Sequence, residues 1–284
     1  YDDSDVYKII EGAAYTLALE PDPKLDSFLD TLIGWIATAQ EDDGYLMTWR
    51  SIQPDEPPTS WSGDDRWDNM EFGHELYNVG HLYEAAVAHY EATGKRTLLE
   101  VALKNADLLV ELFASDKEQG YPGHQEIEIG LAKLYRITGK QQYLDLARLF
   151  LERRGERNYK TEGNMYETGA YWQDHNPVLE QTEAVGHAVR AGYMYAAMAD
   201  IAALTGDERY LKAIDQIWEN VVRKKLYITG GVGGSHYGEA FAENYELPNE
   251  EAYAETCAAI ANDLWNYRMF LLHGDAKYID VLER

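Results

Sequence analysis

With 284 residues, 45% of them hydrophobic, the chain can form one large globular domain or two small ones, and its apolar runs are too short to span a membrane. Its 50 acidic and 25 basic residues give a formal net charge of −25, which repels nucleic-acid phosphates and anionic lipids and argues against both as partners. The single cysteine, Cys257, excludes an internal disulfide and is typical of a reducing compartment, so we expect a cytoplasmic protein.

Helical segments are predicted along most of the chain. An opening pair covers about 5–19 and 24–40, joined through PDPK. In the later pairs a glycine follows one helical stretch and a new amphipathic helix then begins, as expected for a glycine that ends a helix in the left-handed conformation. KLYITGG at 225–231 is expected to be a short extended piece. The repeated pattern occurs at 92–109, 137–154 and 204–221, and it begins again at 272–284.

Repeated helical hairpins build either an open solenoid or a closed toroid. Their spacing here is uneven because long insertions are expected around 51–70, 155–180 and 225–250. Solenoids keep a tighter period, whereas toroidal enzymes carry such loops at one end. We therefore predict an all-α fold, a closed α/α toroid of helical hairpins. The last repeat stops early, so we expect 1–284 to be a single catalytic domain that is incomplete at both ends.

Polar side chains stand near the start of the first helix in successive hairpins. In a toroid those helices run in the same direction, so these side chains would gather at one mouth, where the helix dipoles favour anions. A histidine at a helix start is also often a helix cap or an ordinary packing residue. The recurrence of histidine at this position in three hairpins nevertheless favours a functional site. By contrast, His81 and His89 are expected to be structural. The candidate site residues are His74, His124, His187, Glu255 and Cys257.

The glycine-rich run GGVGG is followed by another candidate, Glu239 in HYGEAF. A partly apolar pocket would raise the pKa of this carboxyl toward the working range of a general acid. Glu255 and Cys257 offer a carboxylate and a thiolate, both of which zinc accepts. Each also has a plainer interpretation, since Glu239 can be a solvated loop residue and Cys257 a buried, inert thiol.

Four stretches carry a resemblance to a known family: YITGGVGGSHYGEAF, YELPNEEAYAETCA, HELYNVGHLYEAAVAHYEATG and PGHQEIEIGLAKLYRITG. Together they resemble the glycoside hydrolase family 127 β-L-arabinofuranosidases, and the related family 146 is similar. The resemblance implies an α/α six-hairpin barrel followed by β-sandwich material. It also implies removal of terminal β-L-arabinofuranose, with retention, from an oligosaccharide or glycoconjugate. The nucleophile would be a zinc-bound cysteine, with a glutamate that protonates the leaving oxygen and then activates water.

Matched by motif, the resemblance assigns Glu239 as the acid/base and Glu255 and Cys257 as two zinc ligands. It assigns the sugar hydroxyls to His74, His124 and His187. The family's nucleophile belongs to a pair of adjacent cysteines further along, and Cys257 is the only cysteine in these 284 residues. The resemblance therefore predicts an incomplete zinc site and no activity for these residues on their own.

Three other functions stay open at this point. An inverting or hydrating glycosidase that uses the carboxylate pair Glu239 and Glu255 would need no metal and would tolerate Cys257→Ser. A sugar epimerase of the α/α-barrel type would use His187 and His124 as its proton-transfer pair. A helical-repeat module would bind a sugar without catalysis. Homo-oligomerisation is compatible with all of these functions.

Overall fold

The computed structural model describes residues 2–53, 62–115, 117–155, 159 and 165–284, and α-helices are the regular structure of these ranges. Within them β-type backbone pairing is limited to isolated bridges, without a β-strand, so the predicted all-α class is confirmed. No helix in the described ranges is long and apolar enough to cross a bilayer. The helices are α1 Asp2–Leu19, α2 Pro23–Ala39, α3 Thr48–Ile52, α4 Glu75–Thr93, α5 Thr97–Phe113, α6 Ile127–Thr138, α7 Gln141–Glu152, α8 Ala188–Thr205, α9 Glu208–Lys224, α10 Thr256–His273 and α11 Lys277–Leu282.

The predicted hairpin boundaries are confirmed at the glycines. In the four hairpins that follow α1 and α2, the first helix ends at a glycine in the left-handed conformation, and the glycine N–H donates to the carbonyl four residues earlier. At each of these positions a Cβ would meet no atom within 4 Å, so the positive φ, and not a lack of space, favours glycine. The four glycines are Gly94, Gly139, Gly206 and Gly274, with φ between 70° and 73°.

The chain divides into two compact units, 1–149 and 150–284. In the first unit α4 is central and packs against α1, α5 and α6, and residues 75–89 are buried on every side of the helix. Helices α4 and α6 approach closely because both carry glycine at the crossing. A Cβ on Gly130 would lie 2.7 Å from the carbonyl oxygen of Gly80. The single catalytic domain over 1–284 stays a prediction.

The second unit repeats this arrangement around α8. Residues 188–202 are buried all round, and the helix packs against α9 and α10, while α10 also packs against α11. Glycine again permits the crossing, because a Cβ on Gly192 would lie 2.7 Å from the methyl carbon of Ala261. Short 3₁₀ turns occupy parts of the connections, at Ala170–Trp172, Val178–Glu180 and Tyr237–Glu239.

The segment 225–231 is a turn, and the expectation of an extended piece there is wrong. The N–H of Tyr227 donates to the carbonyl of Gly231 at 2.9 Å, and Gly230 takes a φ of 85° that closes the turn. The predicted insertion at 225–250 is present as an irregular loop that begins at this turn. Parts of the predicted insertions at 51–70 and 155–180 lie outside the described residues.

Candidate active site

The loop after the turn places Glu239 beside the start of α8. Ser235 and Ala240 exchange backbone hydrogen bonds of 3.0 and 3.1 Å, and the N–H of Phe241 donates to the carbonyl of Gly186 at 2.9 Å. Between them Glu239 has a φ of 51°, an uncommon conformation for a residue with a side chain. The loop thus holds the Glu239 carboxylate next to the residue that precedes α8.

That preceding residue is His187, the N-cap of α8. Its Nδ1 accepts the backbone N–H of Arg190 at 3.3 Å, so the ring proton is assigned to Nε2. The Nε2 lies 2.9 Å from Oε2 of Glu239 and donates to it. Burial, aided by the charge of Arg190, lowers the pKa of His187 to about 4. The imidazole is therefore neutral at neutral pH, with a fixed donor that points at the carboxylate.

The other oxygen of Glu239 accepts a second hydrogen bond. The hydroxyl of Tyr253 donates to Oε1 at 2.6 Å. This bond is the largest influence on the carboxyl and, with the contribution of His187, lowers its pKa despite partial burial. The expectation of a raised pKa for Glu239 is wrong, because both oxygens accept hydrogen bonds and 43% of the side chain is exposed. The carboxyl is ionised at neutral pH.

Glu255 is the N-cap residue of α10 and its side chain is half-buried. The glycine loop holds this segment, since the N–H of Ala254 donates to the carbonyl of Gly233 at 2.8 Å. Burial, followed by the charge of Glu239, raises the pKa of the Glu255 carboxyl. Ligand atoms of His187, Glu239 and Glu255 all lie within 4.8 Å of one another. One imidazole and two carboxylates with opposite pKa shifts therefore meet at this loop.

Cys257 lies in the first turn of α10, two residues after Glu255, and it is exposed. The interpretation of this residue as a buried thiol is therefore wrong. It is not a member of the group of ligand atoms that lie within 4.8 Å of each other. Carboxylate and thiolate are nevertheless a donor pair that zinc accepts. A bound cation would also offset the repulsion between Glu255 and Glu239, which contributes to the raised pKa of Glu255.

The first unit brings His74 and His124 together. His74 precedes α4, and its ring centroid lies 5.6 Å from that of His124. Each ring places Nδ1 beside a backbone carbonyl, that of Phe72 at 2.7 Å and that of Gln125 at 2.8 Å. Each Nδ1 therefore carries the ring proton and donates it, which leaves Nε2 as the acceptor. Tyr77 packs against both rings and lines a pocket with His124.

Two further groups of possible cation ligands lie in the first unit. In each group, a lysine side chain already forms an ion pair with at least one of the carboxylates. Among the described residues these groups are His81 with Glu84 and Glu126, and Asp26 with Asp30 and His89. Lys133 forms an ion pair with Glu84, and Lys95 with both aspartates. Burial lowers the pKa of His81 to about 3. His81 and His89 are both buried, as expected of structural residues.

The sequence prediction missed Tyr253. It contacts the candidate acid/base directly, but tyrosine occurs 22 times in the chain and nothing marks this one as different. Of the residues that were predicted, the structure brings His187, Glu239 and Glu255 together in the second unit, and His74 with His124 in the first.

The chain matches along residues 1–284 the family described as "Beta-L-arabinofuranosidase, GH127 catalytic domain". It is 38% identical over 299 residues to the non-reducing end β-L-arabinofuranosidase of Bifidobacterium longum subsp. longum, a match that covers 100% of this chain and 45% of that protein.

Solved structures give the same relationship. A GH127 β-arabinofuranosidase superposes with a TM-score of 0.92 and 55% identity, over 100% of this chain and 44% of its own. A GH127 β-L-arabinofuranosidase from Geobacillus stearothermophilus T6 gives 0.90 and 46%, over 99% of this chain and 45% of its own. The chain thus spans less than half the length of these relatives. It belongs to the GH127 β-L-arabinofuranosidase catalytic-domain family.

Proposed function

We propose that the protein containing this chain is a retaining glycoside hydrolase that removes terminal β-L-arabinofuranose, with Glu239 as its acid/base. The observation that carries the proposal is the pair of hydrogen bonds to Glu239, from Tyr253 and from neutral His187, in a carboxylate that stays partly exposed. Membership of GH127 and the names of the relatives support β-L-arabinofuranose as the sugar. The substrate would be an arabinofuranose-containing oligosaccharide or glycoconjugate.

The environment of Glu239 suits the second half of such a reaction. An ionised carboxylate can take a proton from water, and the two donors keep it ionised and oriented. The first half requires the protonated form, which delivers a proton to the leaving oxygen. A bound sugar would remove water from the exposed part of the side chain, and that desolvation raises the pKa of the carboxyl.

Neutral imidazoles are suited to hold the sugar. A sugar hydroxyl can donate a hydrogen bond to the acceptor nitrogen of a neutral imidazole, which is Nε2 in His74 and His124 because their Nδ1 atoms donate to backbone carbonyls. We assign this role to His74, His124 and His187. For His187 the donor already points at Glu239, so a hydroxyl bound there would lie beside the acid/base.

Glu255 and Cys257 are proposed as two ligands of a zinc ion. Their carboxylate and thiolate match the donors that zinc takes, and the nearby carboxylate of Glu239 adds a negative charge that a cation would offset. When bound, zinc keeps a coordinated thiol deprotonated at neutral pH, so that its sulfur can act as a nucleophile. The cysteine pair that the family resemblance requires is not among these 284 residues, whose only cysteine is Cys257.

The test is hydrolysis of a panel of aryl glycosides by the full-length protein that carries these residues. We expect the β-L-arabinofuranoside to be cleaved fastest, and Glu239→Gln to lower kcat by about 10²- to 10⁴-fold without changing the thermal unfolding midpoint. Glu243→Gln, an exposed carboxylate in the same loop, is the matched control and should keep full activity. Equal losses in both variants, or faster cleavage of a different sugar, would contradict the proposal.

A second candidate is a glycosidase that uses Glu239 and Glu255 as its carboxylate pair. Two observations favour it: oxygens of the two carboxylates lie within 4.8 Å, and their pKa values shift in opposite directions. Carboxyl groups stand about 6.5–9.5 Å apart in inverting enzymes and about 5–5.5 Å apart in retaining ones, so this short separation fits a retaining pair and not the inverting pair expected from the sequence. Cys257→Ser separates the two candidates, because it should abolish a zinc-dependent reaction and leave a carboxylate-pair reaction intact.

A further inference from the structure

Aromatic rings lie along one side of the Glu239 loop. Tyr237 comes two residues before Glu239 and leaves 49% of its surface exposed. Its ring meets the half-buried ring of Tyr166 edge to face, with centroids 5.9 Å apart. Tyr166 packs on Tyr171 at 4.7 Å, and Tyr171 meets the ring of His187 at 5.4 Å. We call Tyr237 and Tyr166 the tyrosine pair.

The tyrosine pair is held in place relative to the acid/base. Gly238, between Tyr237 and Glu239, has a φ of 66°, and a Cβ at that position would lie 2.8 Å from the sulfur of Met165. The N–H of His187 donates to the carbonyl of Tyr171 at 3.3 Å. The segment that carries Tyr166 is therefore packed against both the Glu239 loop and the start of α8.

We infer that the tyrosine pair forms the subsite for the sugar that leaves in the reaction. The inference rests on the proposed function, in which Glu239 protonates the glycosidic oxygen. That oxygen joins the two sugars, so the leaving sugar must lie within about one ring width of the Glu239 carboxyl. Tyrosine offers a flat apolar face with a polar edge, which matches a sugar ring with its C–H face and peripheral hydroxyls.

The subsite has a consequence for specificity. A leaving group that is itself a sugar ring covers the exposed face of Tyr237, whereas a methanol leaving group is too small to do so. The enzyme therefore favours disaccharides over methyl glycosides. Because the contact is with the departing part of the substrate, the tyrosine pair does not select the arabinofuranose ring.

The experiment compares two substrates with the full-length protein: a β-L-arabinofuranosyl disaccharide and methyl β-L-arabinofuranoside. For Tyr237→Ala we expect the ratio of kcat/KM values, disaccharide over methyl glycoside, to fall about three- to tenfold, the size of one aromatic stacking contact. Tyr166→Ala should lower the same ratio, and Tyr237→Phe should preserve it. Tyr267→Ala, on α10 and 50% exposed, is the matched control and should leave both activities as in the wild type.

The outcomes distinguish a failure of the subsite from a failure of the proposed function. A ratio that stays unchanged in Tyr237→Ala and Tyr166→Ala, while the wild type cleaves both substrates, overturns the subsite and leaves the proposed function standing. Equal losses on both substrates also overturn it, because they indicate a general disturbance of the Glu239 loop. If the wild type cleaves no β-L-arabinofuranoside, the proposed function fails and the subsite falls with it.

Discussion

His187 donates a hydrogen bond from Nε2 to the Glu239 carboxylate, and the direction of that bond is set from the other side of the ring. The backbone N–H of Arg190, in the first turn of α8, occupies Nδ1. A helix terminus thus fixes the tautomer of the imidazole. The lowered pKa of the ring, about 4, keeps it neutral, so its effect on Glu239 is that of an oriented dipole.

The strongest influence on the Glu239 carboxyl is the hydrogen bond from Tyr253, ahead of that from His187. We therefore expect Tyr253→Phe to raise the pKa of Glu239, and His187→Ala to raise it as well, because each variant removes an interaction that favours the ionised carboxylate. The measurement is an NMR titration of ¹³C-labelled glutamate side chains in residues 1–284. Tyr245→Phe, at a tyrosine that is 71% exposed, is the control and should leave the titration of Glu239 unchanged. An unchanged or lowered pKa of Glu239 in Tyr253→Phe would contradict the role assigned to this hydrogen bond.

The glycines of the hairpins provide a paired prediction on stability. Gly206 has a φ of 70°, so Gly206→Ala forces alanine into the left-handed region and should destabilise the protein by about 1 kcal/mol. Gly34 lies inside α2 with no atom within 4 Å of an added Cβ. There Gly34→Ala should stabilise the helix by about 0.5–1 kcal/mol. Urea unfolding of residues 1–284 measures both changes, and effects of the same sign would contradict this account.

The helical hairpins could be predicted from the sequence because their signals are local. Amphipathic spacing and the glycine that ends each first helix mark the boundaries, and the prediction of helices at 5–19 and 24–40 agrees with α1 and α2. The same register placed His74, His187 and Glu255 at helix starts, where the structure has all three as N-cap residues.

The chemistry of the site could not be predicted in the same way. Glu239 interacts with His187 across 52 positions and with Tyr253 across 14, and only the folded loop brings them together. The pKa of Glu239 depends on those two contacts, so the direction of its shift was wrong when it was judged from the loop composition alone. The turn at 225–231 was missed because its residues, Tyr227 and Ile228 among them, are also typical of strands.

Glu126 yields a prediction on pH dependence. It is fully buried, and burial, together with the neighbouring charge of Glu84, raises its pKa well above the ordinary value. Between the unfolded and folded pKa values the folded state holds a proton that the unfolded state lacks, so stability falls as pH rises through this window. The slope is at most about 1.4 kcal/mol per pH unit for one proton.

Glu126→Gln keeps the shape of the protonated side chain and removes the titration. The variant should therefore gain stability relative to the wild type as pH rises from about 5 to about 8, measured by urea unfolding at several pH values. Glu118→Gln, at a half-buried position before α6, is the control and should follow the wild type. If the difference in unfolding free energy between Glu126→Gln and the wild type does not change with pH, Glu126 has the same charge in the folded and unfolded states. That result would contradict the prediction.

The zinc proposal predicts a metal content that depends on two named residues. In the full-length protein, Cys257→Ser and Glu255→Gln should each lower the zinc retained after dialysis against a weak chelator, because each removes one ligand. Metal content by mass spectrometry is a readout that does not depend on activity. Glu251→Gln, an exposed glutamate four residues before Glu255, is the matched control and should keep the wild-type zinc content. If Cys257→Ser retains full zinc and full activity, the carboxylate pair Glu239 and Glu255 becomes the better account of the chemistry.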